Sequence, residues 1–201
     1  MAAKIIALLG SPLLQGNTSR LLDRAIQGAQ DAGADVEKIE VTTLNFKACR
    51  EIFYCREHET CAMKDDMTDL YEKFRDIDGV IIGTPVMTMG IPGVLKSFFD
   101  RFQVYFMAKY VRKKSMVQKE KRKMRLGLYL GISGMNVPYV FDGAKLTVHA
   151  FFDIIDVQYW GDLLINDMDT IQDLTTRPEL LEEAYKKGKE MGMLLVKGAA
   201  G

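Results

Sequence analysis

Hydroxyl-bearing residues and glycines cluster directly after the first apolar run of the chain. The run Lys4–Leu9 has the continuous hydrophobic character of a strand buried on both faces, and the polar loop after it leads into a helical pattern. A helix N-terminus offers unpaired backbone N–H groups and a partial positive charge, which together attract anions. The loop could therefore bind a phosphate through Ser11, Thr18 and Ser19, with Gly16 allowing close approach of the backbone.

The spacing of this loop excludes two common nucleotide-binding loops. A Walker loop requires Gly-x4-Gly-Lys-Ser/Thr, whereas Gly16 follows Gly10 after five residues and is succeeded by Asn17 rather than lysine. The dinucleotide fingerprint Gly-x-Gly-x-x-Gly fails at Pro12. A hydroxyl-rich loop without lysine suits a monoester phosphate such as that of FMN. An ordinary turn with a Ser or Thr helix cap is the alternative.

Apolar runs and helical patterns alternate along the whole chain, which indicates a parallel sheet covered by helices on both faces. Strands are predicted over 4–9, 35–41, 79–83, 125–130 and about 157–164, and helices over about 18–32, from 65 onward, 94–106, 140–155 and 178–197. We expect an α/β, doubly wound five-stranded sheet of order 2-1-3-4-5. Polar loops follow strands one, three and four, so three loops should meet where the strand order reverses and ligands bind.

The composition has no dominant charge. Its 201 residues suit a single domain over 1–201, and basic and acidic residues balance at 27 each, so no overall field favours nucleic acid or a membrane. No apolar stretch could span a bilayer, and no secretory leader is visible. The odd count of three cysteines argues against a secreted disulfide framework. We expect a cytoplasmic protein that binds neither nucleic acid nor membrane.

Several charged residues have structural explanations. Lys96 and Asp100 are four positions apart on a predicted helix and should form a surface ion pair. The segment 109–125 carries nine Lys or Arg against one acid, without the interleaved aromatics of single-strand nucleic-acid binders. We predict a solvated helix extension there, with attraction of cofactor phosphates or an acidic redox partner as the alternative. His149 is predicted to pack on its helix.

Several motifs together resemble the NAD(P)H-dependent FMN reductases of flavodoxin-like fold. The motifs are Gly10-Ser11-Pro12 with Gly16-Asn17-Thr18, Gly83-Thr84-Pro85-Val86, and Lys96-x3-Asp100-Arg101. The resemblance covers the chain to about Ser133. It implies a flavodoxin-like fold and a homodimer or tetramer with flavin near an interface.

The resemblance also implies how three loops would share FMN. The first loop would bind the phosphate, through Ser11, Gly16, Asn17, Thr18 and Ser19. The second would line the isoalloxazine ring, through Thr84, Pro85, Val86, Met87, Thr88, Met89 and Gly90. The third would close the other side, through Gly131, Ser133 and Gly134. Met87 stands where the family often has an aromatic residue, and its thioether can still pack on a ring.

The irregular, cysteine-bearing loop at about 45–64 is similar to the iron–sulfur flavoprotein branch of this family. Its Cys49-x5-Cys55-x5-Cys61 pattern, laid on the branch spacing, implies cluster ligands at 49, 52, 55 and 61, but position 52 is isoleucine. A cubane cluster needs four ligands. Three alternatives remain open: no cluster, a cluster on the three cysteines with one iron open, or His58 as fourth ligand.

The resemblance implies an FMN-binding oxidoreductase that passes electrons from NAD(P)H to a quinone, a free flavin or an iron–sulfur partner. The flavin would carry the chemistry, so no catalytic side chain is assigned. One alternative is a non-enzymatic electron-transfer flavoprotein that works with a ferredoxin-like partner. Another is a flavin-free interaction module on the same fold.

Overall fold

A single five-stranded parallel sheet forms the centre of the protein. The computed structural model describes residues 2–199, so Met1, Ala200 and Gly201 of the expected domain lie outside the described residues. The strands are β1 (Lys4–Leu9), β2 (Asp35–Glu40), β3 (Gly79–Pro85), β4 (Leu126–Ile132) and β5 (Gln158–Ile165). Their order is β2-β1-β3-β4-β5, with parallel pairing throughout. The predicted doubly wound fold is confirmed.

Helices cover both faces of the sheet. They are α1 (Asn17–Asp31), α2 (Met67–Asp76), α3 (Gly93–Arg101), α4 (Gln103–Phe106), α5 (Asp142–Ile154), α6 (Met168–Ile171) and α7 (Pro178–Ala199). The α1 and α7 helices share one core with one face of the sheet, and α2 to α5 share a second core with the other face. Among residues 2–199, no helix combines the length and apolar character needed to cross a bilayer.

Alternating side chains of β1 divide between the two cores. Ile6 and Leu8 lie in the core of α2 to α5, whereas Ile5 and Ala7 lie in the core of α1 and α7. This explains the unbroken apolar run from Ile5 to Leu9, because no position in that run faces water. Each large apolar side chain buried in this way stabilises the fold by about 1.5–3 kcal/mol.

The predicted helix over 94–106 is broken. It ends at Arg101, resumes at Gln103, and continues as one π-helical turn over Met107–Val111. The predicted helix extension through the basic segment is therefore wrong beyond Val111, where irregular chain leads to a 3₁₀ turn at Lys121–Met124.

Acidic partners explain much of the basic segment. Lys109 Nζ lies 3.0 Å from an Asp156 carboxylate, and Lys121 Nζ lies 2.7 Å from an Asp76 carboxylate. These lysines hold the segment against the body of the domain, which supports the structural interpretation over attraction of a ligand.

The edge strand β5 contains a bulge. Tyr159 pairs with Gly127 and Gly161 pairs with Leu128, so Trp160 is an extra residue without a partner on β4. Trp160 is half-buried and packs against the core of α1 and α7.

Candidate functional site

Three loops lie side by side where β1, β3 and β4 end. The Gly10 amide donates to the Gly83 carbonyl over 2.8 Å, which holds the start of the first loop against the end of β3. The Val86 amide donates to the Ile132 carbonyl over 2.7 Å, which joins the second and third. Parallel strands all end at one edge, so the convergence follows directly from the strand order.

The N-terminus of α1 has the donors that a phosphate requires. The residue before the helix is Gly16, and no side chain caps it, so the Ser or Thr cap of the alternative prediction is absent. The amides of Asn17, Thr18 and Ser19 make no backbone hydrogen bond within the described chain. Uncapped donors and the helix dipole together make a site that fits an anion.

Within the first loop, two hydroxyl groups are placed differently. Ser11 is buried, and its hydroxyl accepts a hydrogen bond of 3.1 Å from the Leu13 amide, which shapes the loop. Thr18 is also buried, yet its hydroxyl makes no hydrogen bond among residues 2–199. The Thr18 hydroxyl therefore remains available to a ligand.

Two other predicted phosphate contacts have side chains engaged elsewhere. The Ser19 hydroxyl accepts from Lys38 Nζ over 3.0 Å and donates to Asp23 over 3.3 Å. The Asn17 amide group is bonded to the main chain of residues 172–174. In this structure, Asn17 and Ser19 can offer a phosphate their backbone N–H groups rather than their side chains.

The second loop contains a tight and strained turn. Met87 and Gly90 exchange two backbone hydrogen bonds of 2.8 and 3.0 Å, and the two residues between them have positive φ angles, 49° at Thr88 and 62° at Met89. Turns of this kind normally use Asn and Gly. Each such residue costs about 1–3 kcal/mol, and strain of this kind concentrates at functional sites.

Two glycines border this turn, one in open space and one in close contact with it. A Cβ on Gly90 would come no closer than 3.9 Å to a protein atom, the Met87 oxygen. A Cβ on Gly143 would lie only 2.4 Å from the Met89 oxygen. The start of α5 can therefore pack directly against the strained turn, whereas the Gly90 side of the turn faces open space.

The third loop is held by the chain that follows β5. The Ser133 oxygen accepts from the Met168 amide over 3.0 Å, and the Gly134 oxygen accepts from the Asp169 amide over 3.2 Å. A Cβ on Gly134 would lie 2.3 Å from the Asp169 carboxylate, so this position has no room for a side chain.

A buried hydroxyl lies below the third loop. A Cβ on Gly131 would lie 2.8 Å from the Tyr129 hydroxyl. Burial raises the pKa of Tyr129, and its hydroxyl has no hydrogen-bond partner in the described chain. Tyr129 therefore stays neutral at physiological pH.

Residues 166–177, called the strap here, link two of the three loops. The strap contacts the third loop through main-chain bonds and the first loop through Asn17. Sequence reasoning missed this segment because it has neither an apolar periodicity nor a known motif.

The three cysteines line one cavity of about 170 Å³, together with Ile52 and the buried Arg101. All three are half-buried free thiols, and burial raises the pKa of the Cys55 thiol. Within residues 2–199, no group of three His, Cys, Asp or Glu is placed to hold a single metal ion.

The donor set at this cavity does not fit a four-thiolate cluster. Ile52 lines the cavity at the fourth ligand position but has no donor atom. His58 is not among the lining residues; its ring stacks on Tyr54 at 3.7 Å, and its Nδ1 lies 3.1 Å from the Tyr54 oxygen. The structure therefore disfavours His58 as a ligand.

A buried ion pair anchors the cysteine-bearing segment to the domain. Arg101 donates two hydrogen bonds to Asp65, of 2.6 and 2.9 Å, and a third of 2.7 Å to the Lys47 oxygen. Burial alone would raise the pKa of Asp65, but the bonds from Arg101 outweigh it and hold that pKa below its ordinary value.

Two further predictions concern surface residues. Lys96 and Asp100 form the predicted ion pair, with 2.6 Å between Nζ and the carboxylate. His149 is exposed rather than packed in the core, and its ring stacks on Tyr159 at 3.8 Å. None of Lys96, Asp100 and His149 lies in the three converging loops.

Comparison with known proteins gives the family. The model of the NADPH-dependent FMN reductase family matches residues 3–124, more than half of the chain. The chain belongs to this family, which is one of flavin-dependent NAD(P)H oxidoreductases.

The chain is also similar to iron–sulfur flavoproteins. It is 26% identical to that of Methanosarcina thermophila over 175 residues, which cover 87% of this chain and 83% of the relative. It is 38% identical to one of Methanocaldococcus jannaschii over 99 residues, 49% of this chain and 50% of the relative. This chain thus spans about half the length of the second relative.

Solved structures share the fold at low identity. An NAD(P)H:quinone oxidoreductase from Methanothermobacter marburgensis has a TM-score of 0.70 at 17% identity, covering 95% of this chain and 96% of its own. An FMN-dependent NADH-azoreductase from Bacillus anthracis, in complex with FMN, has a TM-score of 0.69 at 16% identity, covering 96% and 99%. These likenesses support the flavodoxin-like fold.

Proposed function

We propose that this protein binds FMN at the three converging loops and passes electrons from NAD(P)H to an acceptor. The observation that carries this proposal is the uncapped N-terminus of α1, with its unpaired amides at the edge where the loops meet. When bound, FMN would accept hydride and donate electrons. Family membership supports the choice of FMN over other phosphate ligands.

The residues of the first loop would bind the phosphate monoester. Donors available to it are the backbone amides of Asn17, Thr18 and Ser19 and the Thr18 hydroxyl. The loop contains no lysine, which suits a monoester phosphate rather than the triphosphate that a Walker loop binds. Gly16 exposes the helix end because it carries no side chain.

The second and third loops would position the flavin ring. Thr84 is fully buried in β3, so the Thr84–Gly90 segment would contact the ring through its turn, with the half-exposed Met87 side chain and the open space beside Gly90. Gly131, Ser133 and Gly134 would form the opposite wall. No acid or base is required from the protein, because these residues bind and orient the group that carries the chemistry.

A second copy of this chain is proposed to cover the same edge. Several apolar side chains of the three loops are exposed there, namely Leu13 (70%), Met87 (46%), Met135 (46%) and Tyr139 (59%). Exposed apolar residues from separate loops at one edge are typical of an interface. A homodimer or tetramer would bury them and exclude water from the ring.

The test begins with the flavin itself. The purified protein should show the visible absorbance of bound flavin and should bind FMN more tightly than riboflavin, which lacks the phosphate. Thr18→Ala should weaken FMN binding by about 1–2 kcal/mol, the contribution of one hydrogen bond to a charged group, and leave riboflavin binding unchanged. Equal affinity of the parent for both flavins would contradict a phosphate site at this loop.

Steady-state oxidation of NADH and NADPH then separates an enzyme from an electron carrier. Turnover with a quinone or free flavin as acceptor supports the reductase. A flavin that reacts only with a reduced ferredoxin-like protein supports the alternative, a non-enzymatic electron-transfer flavoprotein.

A further inference from the structure

The strap joins two walls of the proposed flavin site that are far apart in sequence. Its first part follows β5 and bonds to the third loop through the Met168 and Asp169 amides. Its later part crosses to the N-terminus of α1, where Arg20 forms an ion pair of 2.8 Å with Asp173. One short segment therefore spans from the ring side of the site to the phosphate side.

Asn17 clamps the strap at two main-chain points. Its side-chain nitrogen Nδ2 donates to the Gln172 oxygen over 2.7 Å, and its Oδ1 accepts from the Leu174 amide over 3.0 Å. A side-chain amide that satisfies one donor and one acceptor of another segment fixes that segment in both position and orientation. Asn17 is also the first residue of α1, so the clamp acts at the phosphate-binding end of the helix.

The clamped residue is held in a strained conformation. Gln172 has φ 59° and ψ −49°, and the Asp173 amide donates across it to the Ile171 oxygen over 2.7 Å. This is a γ-turn with positive φ, a rare and strained form. Such a conformation persists only where surrounding contacts enforce it, and the Asn17 bonds flank it directly.

We propose that Asn17 is a positioning residue whose side chain holds the strap closed against the phosphate loop, rather than a ligand of the phosphate. The clamp fixes the strained turn at Gln172. Because the strap is also bonded to the third loop, the clamp keeps the first and third loops in a fixed relative position. FMN binding and closure of the strap are therefore coupled, and each favours the other. The coupling rests on the proposed FMN site, whereas the clamp itself does not.

The first experiment uses the flavin-free protein and measures amide hydrogen exchange at 172–174. Loss of the clamp in Asn17→Ala should speed exchange of the Leu174 amide about tenfold, the factor that corresponds to roughly 1.4 kcal/mol. Thr18→Ala, the matched control in the same loop, should leave that exchange unchanged. Unchanged exchange in Asn17→Ala would overturn the clamp whether or not the protein binds FMN.

The second experiment measures FMN affinity by fluorescence titration. Asn17→Ala should raise the Kd about tenfold, and Gln172→Gly added to it should recover about threefold, because glycine adopts positive φ without strain. Gln172→Gly added to Thr18→Ala should recover nothing. An Asn17→Ala variant that exchanges faster but binds FMN like the parent would overturn the coupling.

Discussion

In the proposed site, we expect the flavin ring to lie beside Gly90. A Cβ there meets only the Met87 oxygen, at 3.9 Å, and the backbone does not have a positive φ. Gly90→Val should therefore fold normally and raise the Kd for FMN about tenfold or more, since only a bound ligand would meet the new side chain. Fluorescence titration and thermal unfolding measure the two effects separately.

Gly161→Val on β5 is the matched control, because a Cβ at Gly161 has no atom within 4 Å. It should leave flavin binding unchanged. If Gly90→Val keeps a full complement of flavin, the ring lies elsewhere.

Ile52 is the residue that separates this chain from a four-thiolate cluster site. It lines the cavity of Cys49, Cys55 and Cys61, so Ile52→Cys adds a fourth thiol to the same space. After anaerobic reconstitution, this variant should hold more iron and acid-labile sulfide per chain than the parent, because a cubane prefers four thiolates.

Ile52→Ser is the control, because serine is similar in size to cysteine but has no thiol. This variant should not raise the iron content. A parent protein that holds a full, air-stable cluster would show that a group outside the cavity supplies the fourth ligand.

At the scale of elements, the ion pair of Arg101 and Asp65 fastens the cysteine-bearing segment to the end of α3. The side chains are 1% and 13% exposed, and removal of one partner leaves a buried charge unpaired. Asp65→Asn should lower the free energy of unfolding at neutral pH by about 3 kcal/mol. Asp100→Asn, which breaks the exposed pair with Lys96, should cost only about 0.3 kcal/mol.

The same pair predicts a pH dependence. The folded-state pKa of Asp65 lies below its ordinary value of 3.8, so its stabilisation is complete above that pH and is lost as the pH falls through the folded-state pKa. Below about pH 4, the free energy of unfolding of the parent should therefore decrease more steeply with falling pH than that of Asp65→Asn. Chemical denaturation at a series of pH values measures both slopes. Parallel acid limbs in the two proteins would contradict the assignment.

The sequence predicts those elements whose conformation follows from a local pattern of residues. It does not predict those whose conformation depends on contacts between distant parts of the chain. The strands and α1 follow from continuous apolar runs and helical periodicity, and they place the first loop at the sheet edge without further information. The strap follows from neither, because its conformation depends on Asn17, which lies 155 positions from Gln172. The break between α3 and α4 is also invisible in a continuous helical pattern.

The cysteine-bearing segment is also only partly predictable from the sequence. The spacing of the resembling branch implies four ligand positions, of which three hold cysteine, but it does not show that the thiols share one cavity, which Arg101 and Met107 also line. The sequence alone shows that isoleucine replaces the expected cysteine at position 52. It does not show that the His58 ring is turned toward Tyr54.

At the scale of the whole molecule, the exposed apolar residues of the three loops predict self-association. Replacing Leu13 and Tyr139 together by aspartate should turn the assembly into monomers, because charges resist burial at an interface. Sedimentation velocity measures the change in mass. Met193→Asp, on the exposed face of α7 at 43% exposure, should leave the mass unaltered, and a parent that sediments as a monomer would contradict the interface.

The bulge at Trp160 has a consequence for solubility. An open edge strand presents a ladder of unpaired N–H and C=O groups that can template the addition of further strands and seed fibrous aggregates. The extra residue in β5 interrupts that ladder and increases the local twist. At the β5 edge, crowded copies of this protein therefore lack a flat, continuous ladder on which a further strand could add.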